Sequence, residues 1–274
     1  MTRRMIEHDG LKLALHDSGG PGRPIVLQHG LTGDAAQIAE FFPGSSAWRV
    51  LTLECRGHGG SEAGDPRHFS IATFSYDLAA ALAAAGVNRA VVGGVSMGAA
   101  IACRLAVTRP ELVEALVLIR PAWVTDAGPA NMAPNAEVGE LLARFGAEAG
   151  LAAFERSATA ARLAVEAPDN LASLKSMFRR VPADITTALT TRISADGPGI
   201  SADDLRRVVV PALIVGHRRD AIHPLRLAEI LASLLPSARL AEITPKATSK
   251  PAYLADLTAA IDRFLADFNR DITP

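Results

Sequence analysis

The chain has 274 residues, 49% hydrophobic and 21% charged, with a formal net charge of -1. A composition of this kind supports a sizeable core and excludes wholesale disorder. With no basic run and no aromatic–basic interleaving, nucleic acid is excluded as an expected partner, and no apolar run reaches the ~18–20 residues of a membrane span. The N-terminus, Met1 to Asp9, turns polar too soon for a secretory signal. Two cysteines, Cys55 and Cys103, make no disulfide framework. A cytoplasmic protein with a small-molecule partner is the expectation, and a homo-oligomer is an open alternative.

Leu11 to Asp17 alternates apolar and polar residues like a half-buried strand and ends in the turn Ser18-Gly19-Gly20-Pro21-Gly22. Pro24 to Gln28 is a short apolar run suited to a strand buried on both faces. It leads into the loop His29-Gly30-Leu31-Thr32-Gly33, and a helix is expected from Asp34 to Phe42 with Asp34 as its cap. Arg49 to Glu54 is the next strand, followed by the glycine-rich loop Cys55 to Ser61. A helix over Phe74 to Ala85 stops at Gly86. Arg89 to Val92 is β-rich, and Ala99 to Ala106 reads as a helix. Glu114 to Ile119 is a further buried strand, stopped by Arg120-Pro121.

From about residue 122 to 206 the strand pattern gives way to helices and loops, best over Leu151 to Glu166 and Asn170 to Val181. Strand character returns at Pro211 to Gly216, then a helix over Leu225 to Leu235, a strand over Ala238 to Thr244 and an amphipathic helix over Tyr253 to Phe268. Strands alternating with helices imply an α/β fold with a mostly parallel, doubly wound sheet. Residues 1–121 and 207–274 form the expected core. Residues 122–206 are a helical insertion, expected to roof a pocket at the carboxyl ends of the strands.

Between the β-rich run and the Ala99 helix lies Gly94-Val95-Ser96-Met97-Gly98. A serine on a sharp strand-to-helix turn is held in a strained conformation with its hydroxyl exposed, and the flanking glycines remove Cβ atoms that would clash. The following helix aims its N-terminal N–H groups at the same point. An ordinary tight turn with a buried serine is the competing account of this segment alone.

Four landmarks make the chain similar to the α/β-hydrolase fold: His29-Gly30 after a strand, Arg56-Gly57-His58-Gly59-Gly60-Ser61 preceded by Glu54, the Ser96 elbow, and Val215-Gly216-His217-Arg218-Arg219-Asp220. The similarity spans nearly the whole chain and points to the esterase, lactonase and cofactor-free haloperoxidase branch. It implies Ser96 as nucleophile, the Leu31 and Met97 amides as oxyanion hole, and Asp220 as the acid that orients a histidine. It implies a serine hydrolase of small carboxylic esters or lactones that needs no cofactor and no metal. No histidine grouping has metal-ligand spacing, and Gly93, Gly94 and Gly98 do not form a dinucleotide fingerprint.

The sequence departs from that pattern at the catalytic histidine. The loop after the last strand reads Ile243 to Pro251, with Ser249 where the histidine is expected, and no histidine follows His223. Three accounts stand side by side. His223 serves as the base from the Asp220 loop, Lys246 serves as the base, or the triad is lost and the protein is a ligand-binding or lyase-type member of the fold. Trp123, just past a strand end, is expected as a pocket wall, and His29 as a residue of the oxyanion loop near substrate. Met132, Leu141, Leu142, Phe145, Phe154, Met177 and Phe178 are expected either to line a pocket or to pack the insertion on the core. One of the insertion arginines, such as Arg144, Arg179 or Arg180, is a candidate for holding a substrate carboxylate.

Overall fold

The computed structural model describes residues 1–42 and 47–272. Eight strands form one sheet in the order β1-β2-β4-β3-β5-β6-β7-β8. They are β1 (Thr2–His8), β2 (Leu11–Asp17), β3 (Arg23–Gln28), β4 (Trp48–Leu53), β5 (Ala90–Val95), β6 (Val113–Ile119), β7 (Ala212–Gly216) and β8 (Ala238–Glu242). The β1–β2 and β2–β4 pairings are antiparallel and the rest of the sheet is parallel. All six residues of β5 are buried, as a central parallel strand covered on both faces requires. The polar N-terminal segment Thr2–His8 was not expected to be a strand. It is the sheet edge, with four consecutive exposed residues, Thr2 to Met5, so its composition carried no burial signal.

Helices cover both faces. They are α1 (Ala35–Ala39), α2 (Ile71–Ala84), α3 (Met97–Thr108), α9 (Leu225–Leu234) and α10 (Lys250–Ile272). Asp34 caps α1 as expected, accepting from the Ala36 N–H, but the helix stops at Ala39 rather than Phe42. Phe41 and Phe42 are instead buried in the core on the α10 side, with Ile25, Leu27, Tyr253, Leu257 and Ile261. The opposite face buries Phe74, Leu78, Ile101 and Leu105 from α2 and α3 against Val26, Val92 and Leu116.

Between β6 and β7 lie α4 (Ala133–Glu155), α5 (Ala158–Glu166), α6 (Pro168–Met177), α7 (Ala183–Ala195) and α8 (Ala202–Arg206). The helical character expected for 122–206 is present, with different boundaries. The predicted Leu151 to Glu166 helix is two helices, because Ser157 caps α5 through the Ala160 N–H. The first half of α4 went unread because Pro134 occupies its first turn, where proline is tolerated, and Gly146 breaks it at φ +74°. α8 carries a capping box in which Ser201 and Asp204 satisfy each other's backbone N–H groups.

Candidate active site

The site begins with backbone geometry at the end of β5. Ser96 has φ +57° and ψ -109°, a region that L-residues avoid. Its own N–H is anchored to the Ile119 carbonyl at 2.9 Å. The turn passes so close to β3 that a Cβ at Gly94 would lie 2.5 Å from the Gln28 carbonyl oxygen, and one at Gly98 2.3 Å from it. Both glycines are therefore steric requirements of this crossing. The Gln28 side chain extends the contact by bridging to β4, donating to the Leu53 carbonyl at 3.1 Å and accepting from the Leu53 N–H at 3.0 Å.

His223 meets this serine. Its Nε2 lies 2.8 Å from Ser96 Oγ, and its Nδ1 lies 3.0 and 3.1 Å from the two Asp220 carboxylate oxygens. This places the Nδ1–H toward the acid and leaves the Nε2 lone pair for the serine hydroxyl. Both residues share one short loop, Asp220-Ala221-Ile222-His223, which turns back because Asp220 Oδ1 also accepts from the Ile222 and His223 N–H groups at 3.2 and 2.9 Å. Burial alone would raise the Asp220 carboxyl, but the Arg120 guanidinium together with His223 and His217 outweighs it and holds the group well below the usual carboxylate range. Burial also lowers His223, only partly opposed by Asp220, and Arg120 lowers it further, which favours the neutral imidazole.

Ser249, at the position aligned with the family histidine, has a different task. Its hydroxyl accepts from the Ala252 N–H at 3.3 Å at the start of α10. Lys246 lies on the wall of the same cavity as Ser96 and His223, but it makes no hydrogen bond to the serine.

Arg120 was read from the sequence only as a strand stop. It sits at the end of β6 with φ +47°, is buried, and grips Asp220 Oδ2 from Nε at 2.7 Å and from its terminal nitrogen at 2.6 Å. It lies 3.7 Å from Asp169 and 5.8 Å from the Tyr253 ring centroid. The available signal was a guanidinium directly after the buried apolar run Ala115 to Ile119, where it needs a counter-ion.

The insertion supplies the remaining support of the loop. Asn170 Oδ1 accepts from the Ala221 and Ile222 N–H groups at 2.7 and 3.2 Å, and Asn131 Nδ2 donates to the Ile222 carbonyl at 2.7 Å. Replacing Asn170 with Ala removes the acceptor of the Ala221 N–H, one of two acceptors of the Ile222 N–H, and one of the insertion's two supports of the loop that carries His223. We expect a loss of stability of about 1–3 kcal/mol by urea unfolding, with kcat falling more than KM changes. An unchanged kcat would show that the loop holds its shape without the insertion.

The loop His29-Gly30-Leu31-Thr32-Gly33 is braced by two histidines. His29 Nε2 accepts from the Cys55 N–H at 3.0 Å, which places its proton on Nδ1, facing the Gly30 carbonyl at 2.8 Å. His58 repeats the arrangement, accepting from the Thr32 N–H at 3.2 Å and facing the Arg56 carbonyl at 3.0 Å. Burial lowers the pKa of both, consistent with neutral rings. His29 is 0% exposed with both nitrogens engaged by backbone, so the structure does not bring it to the cavity. Trp123 is likewise buried, its indole N–H donating to the Asp196 carbonyl at 2.9 Å, and it is not on the cavity wall. Among the expected apolar wall residues, Met132 and Met177 reach the cavity, whereas Phe154 and Phe178 pack on each other at 5.6 Å within the insertion.

Met97 opens α3, so its N–H has no intrahelical acceptor. Leu31 lies between two engaged amides, Gly30 bonded to Gln37 Oε1 at 2.7 Å and Thr32 bonded to His58. Leu31 borders the same cavity of about 100 Å³ as Ser96 and His223. Glu54, in place of the more usual aspartate, ties the neighbouring loops together by accepting from the Ala35 N–H at 3.2 Å and the Gly60 N–H at 2.6 Å. Its carboxylate fills the space a Cβ at Gly59 would need. No group of His, Cys, Asp and Glu suited to a metal occurs among the described residues. None of their helices is long and apolar enough to cross a membrane.

The sequence profile of the alpha/beta hydrolase fold matches residues 23–246. The chain belongs to that family. Among curated proteins it is similar to the putative carbamate hydrolase RutD of Klebsiella pneumoniae (strain 342), 28% identical over 246 residues that cover 85% of this chain and 87% of the relative. Among solved structures it resembles the enol-lactonase of Burkholderia xenovorans LB400, with a TM-score of 0.74 and 23% identity over 96% of this chain and 100% of that one. It also resembles Est816, described as an N-acyl homoserine lactone degrading enzyme, with a TM-score of 0.69 and 25% identity over 98% of this chain and 100% of that one. The Ser96 turn, the Asp220–His223 loop and the loop after Gln28 lie at the carboxyl ends of β5, β7 and β3.

Proposed function

We propose that this alpha/beta hydrolase is a serine hydrolase of small carboxylic esters or lactones, with Ser96, His223 and Asp220 as its triad. The observation that carries the reading is the 2.8 Å contact between His223 Nε2 and Ser96 Oγ, backed by Asp220 on the far side of the ring. Ser96 Oγ attacks the carbonyl carbon while His223 Nε2 takes its proton. The Leu31 and Met97 amides receive the developing oxyanion, each worth ~2.7–4 kcal/mol in the transition state. The imidazolium formed is stabilised by Asp220 and returns the proton to the departing alkoxide. Water, deprotonated by the same nitrogen, then releases the acyl group and frees Ser96. No cofactor or metal has a part in these steps. Helix α6 lays Asp169, Asn170, Ser173, Leu174 and Met177 against the cavity, which supports residues 122–206 as its lid.

A fluorophosphonate probe followed by peptide mapping tests the nucleophile. We expect one labelled residue, Ser96, in the wild type and none in Ser96→Ala. Folded wild-type protein that stays unlabelled would mean the serine is not activated, and the hydrolase reading would fall.

A further inference from the structure

We propose that the catalytic cavity selects substrates that carry a hydroxyl group on the arm lodged in it, and that the Asp169 carboxylate accepts the hydrogen bond of that hydroxyl. The inference rests on Ser96 acting as the nucleophile. Asp169 lies in the first turn of α6 and shares the cavity wall with Ser96, His223, Asn135 and Lys246. Its Oδ1 atom is buried and, among the described residues, has no hydrogen-bond partner. Its other oxygen stands 3.7 Å from Arg120, an ion-pair distance too long for a hydrogen bond.

The protein's own donors are directed elsewhere. The Arg120 guanidinium spends its Nε and a terminal nitrogen on Asp220 at 2.7 and 2.6 Å. Lys246 is on the same wall, yet among the described residues no ion pair joins it to Asp169. A buried carboxylate oxygen without a donor is destabilised until one arrives. Asn135, from α4, repeats the pattern: it is buried on the same wall, and its amide oxygen also lacks a partner. Its amide nitrogen meets only Met177 Sδ at 4.0 Å. Two helices of the insertion thus each bring an unmatched acceptor to the wall of one small space.

The charges on the wall fix the kind of donor. Arg120 and Lys246 are both cations, so a substrate ammonium would meet two like charges. A substrate carboxylate brings only acceptors to acceptors. A hydroxyl is neutral, donates one proton and still accepts, so it meets Asp169 Oδ1 and leaves lone pairs for the Lys246 ammonium. It is also small enough to share a cavity of about 100 Å³ with the reacting carbonyl. An arm with a methyl in that place strands the Asp169 oxygen, and a site built around a buried acceptor rejects the analogue that lacks the donor.

Two pairs of esters exchange a hydroxyl for a methyl of similar size. Methyl 3-hydroxybutanoate against methyl 3-methylbutanoate places the change on the acyl arm, and 2-hydroxyethyl butanoate against propyl butanoate places it on the alcohol arm. We expect wild-type kcat/KM to favour the hydroxyl in at least one pair, which identifies the arm. Asp169→Ala should reduce that preference by about 10- to 100-fold, and Asp169→Asn, which keeps an acceptor oxygen, should retain part of it. The ratio of two esters on one variant cancels any change in basal turnover transmitted through Arg120. No preference in either pair, or a preference that survives Asp169→Ala, would overturn the proposal. Where Asp169→Ala does not fold, a ratio unchanged in Asp169→Asn overturns it equally. If no ester is cleaved, the esters serve as ligands. Thermal stabilisation that is greater with a hydroxy ester and lost in Asp169→Ala supports the subsite, and equal or absent stabilisation refutes it. Failure of the nucleophile reads out separately, as absence of fluorophosphonate label on Ser96.

Discussion

Replacing His223 with Gln is expected to lower kcat by about 10⁴-fold or more, the scale seen when a triad loses its base, with far less effect on KM. The glutamine amide fills similar space but does not accept a proton. Residual turnover should come from the oxyanion amides and binding alone. The wild-type pH profile adds an independent check. Burial lowers the His223 pKa below 6.5, so the base is already free at neutral pH. The acid limb of kcat/KM should therefore lie below pH 6.5 and be flat above it. A limb displaced well above neutral pH would indict an amine such as Lys246 in its place.

The second large effect is expected at Arg120. Changing it to Met removes the partner of a buried carboxylate, and breaking such a pair costs about 3–5 kcal/mol. Urea unfolding at pH 7 should show that loss. The sign of the pH effect follows from the charges. Asp220 has a depressed pKa in the folded protein, so its contribution is present at neutral pH and lost as pH falls through that low value. Without Arg120 the folded pKa rises and the loss begins at higher pH. The same guanidinium also lowers His223, so the acid limb of kcat/KM in Arg120→Met should move to higher pH. A variant as stable as wild type with an unmoved limb would show that Arg120 neither pairs with nor tunes the acid.

Much of this was legible in residue order. The elbow announced itself because its glycines and serine answer a local steric demand, and the 2.3 Å approach of a Gly98 Cβ to the Gln28 carbonyl shows how severe that demand is. His223 was visible as a candidate through its three-residue spacing from Asp220, but whether the loop folds back is decided by carboxylate-to-amide bonds that spacing does not reveal. Arg120, Asn131 and Asn170 went unread because each acts on residues about 50 to 100 positions away. His29 and Trp123 were placed at the cavity by analogy with their loops. Burial sets them beneath it, where their polar atoms are spent on backbone.

The proposed triad houses acid and base in a single four-residue stretch, and that changes what the rest of the chain is free to do. A triad spread over two strand ends binds both connections to one proton path, so neither can drift without cost to turnover. In the proposed triad the β8–α10 connection carries no proton. Its serine begins a helix, and its lysine faces the cavity. On that reading the segment is free to change without disturbing the residues proposed to activate Ser96, which stand on the neighbouring turn.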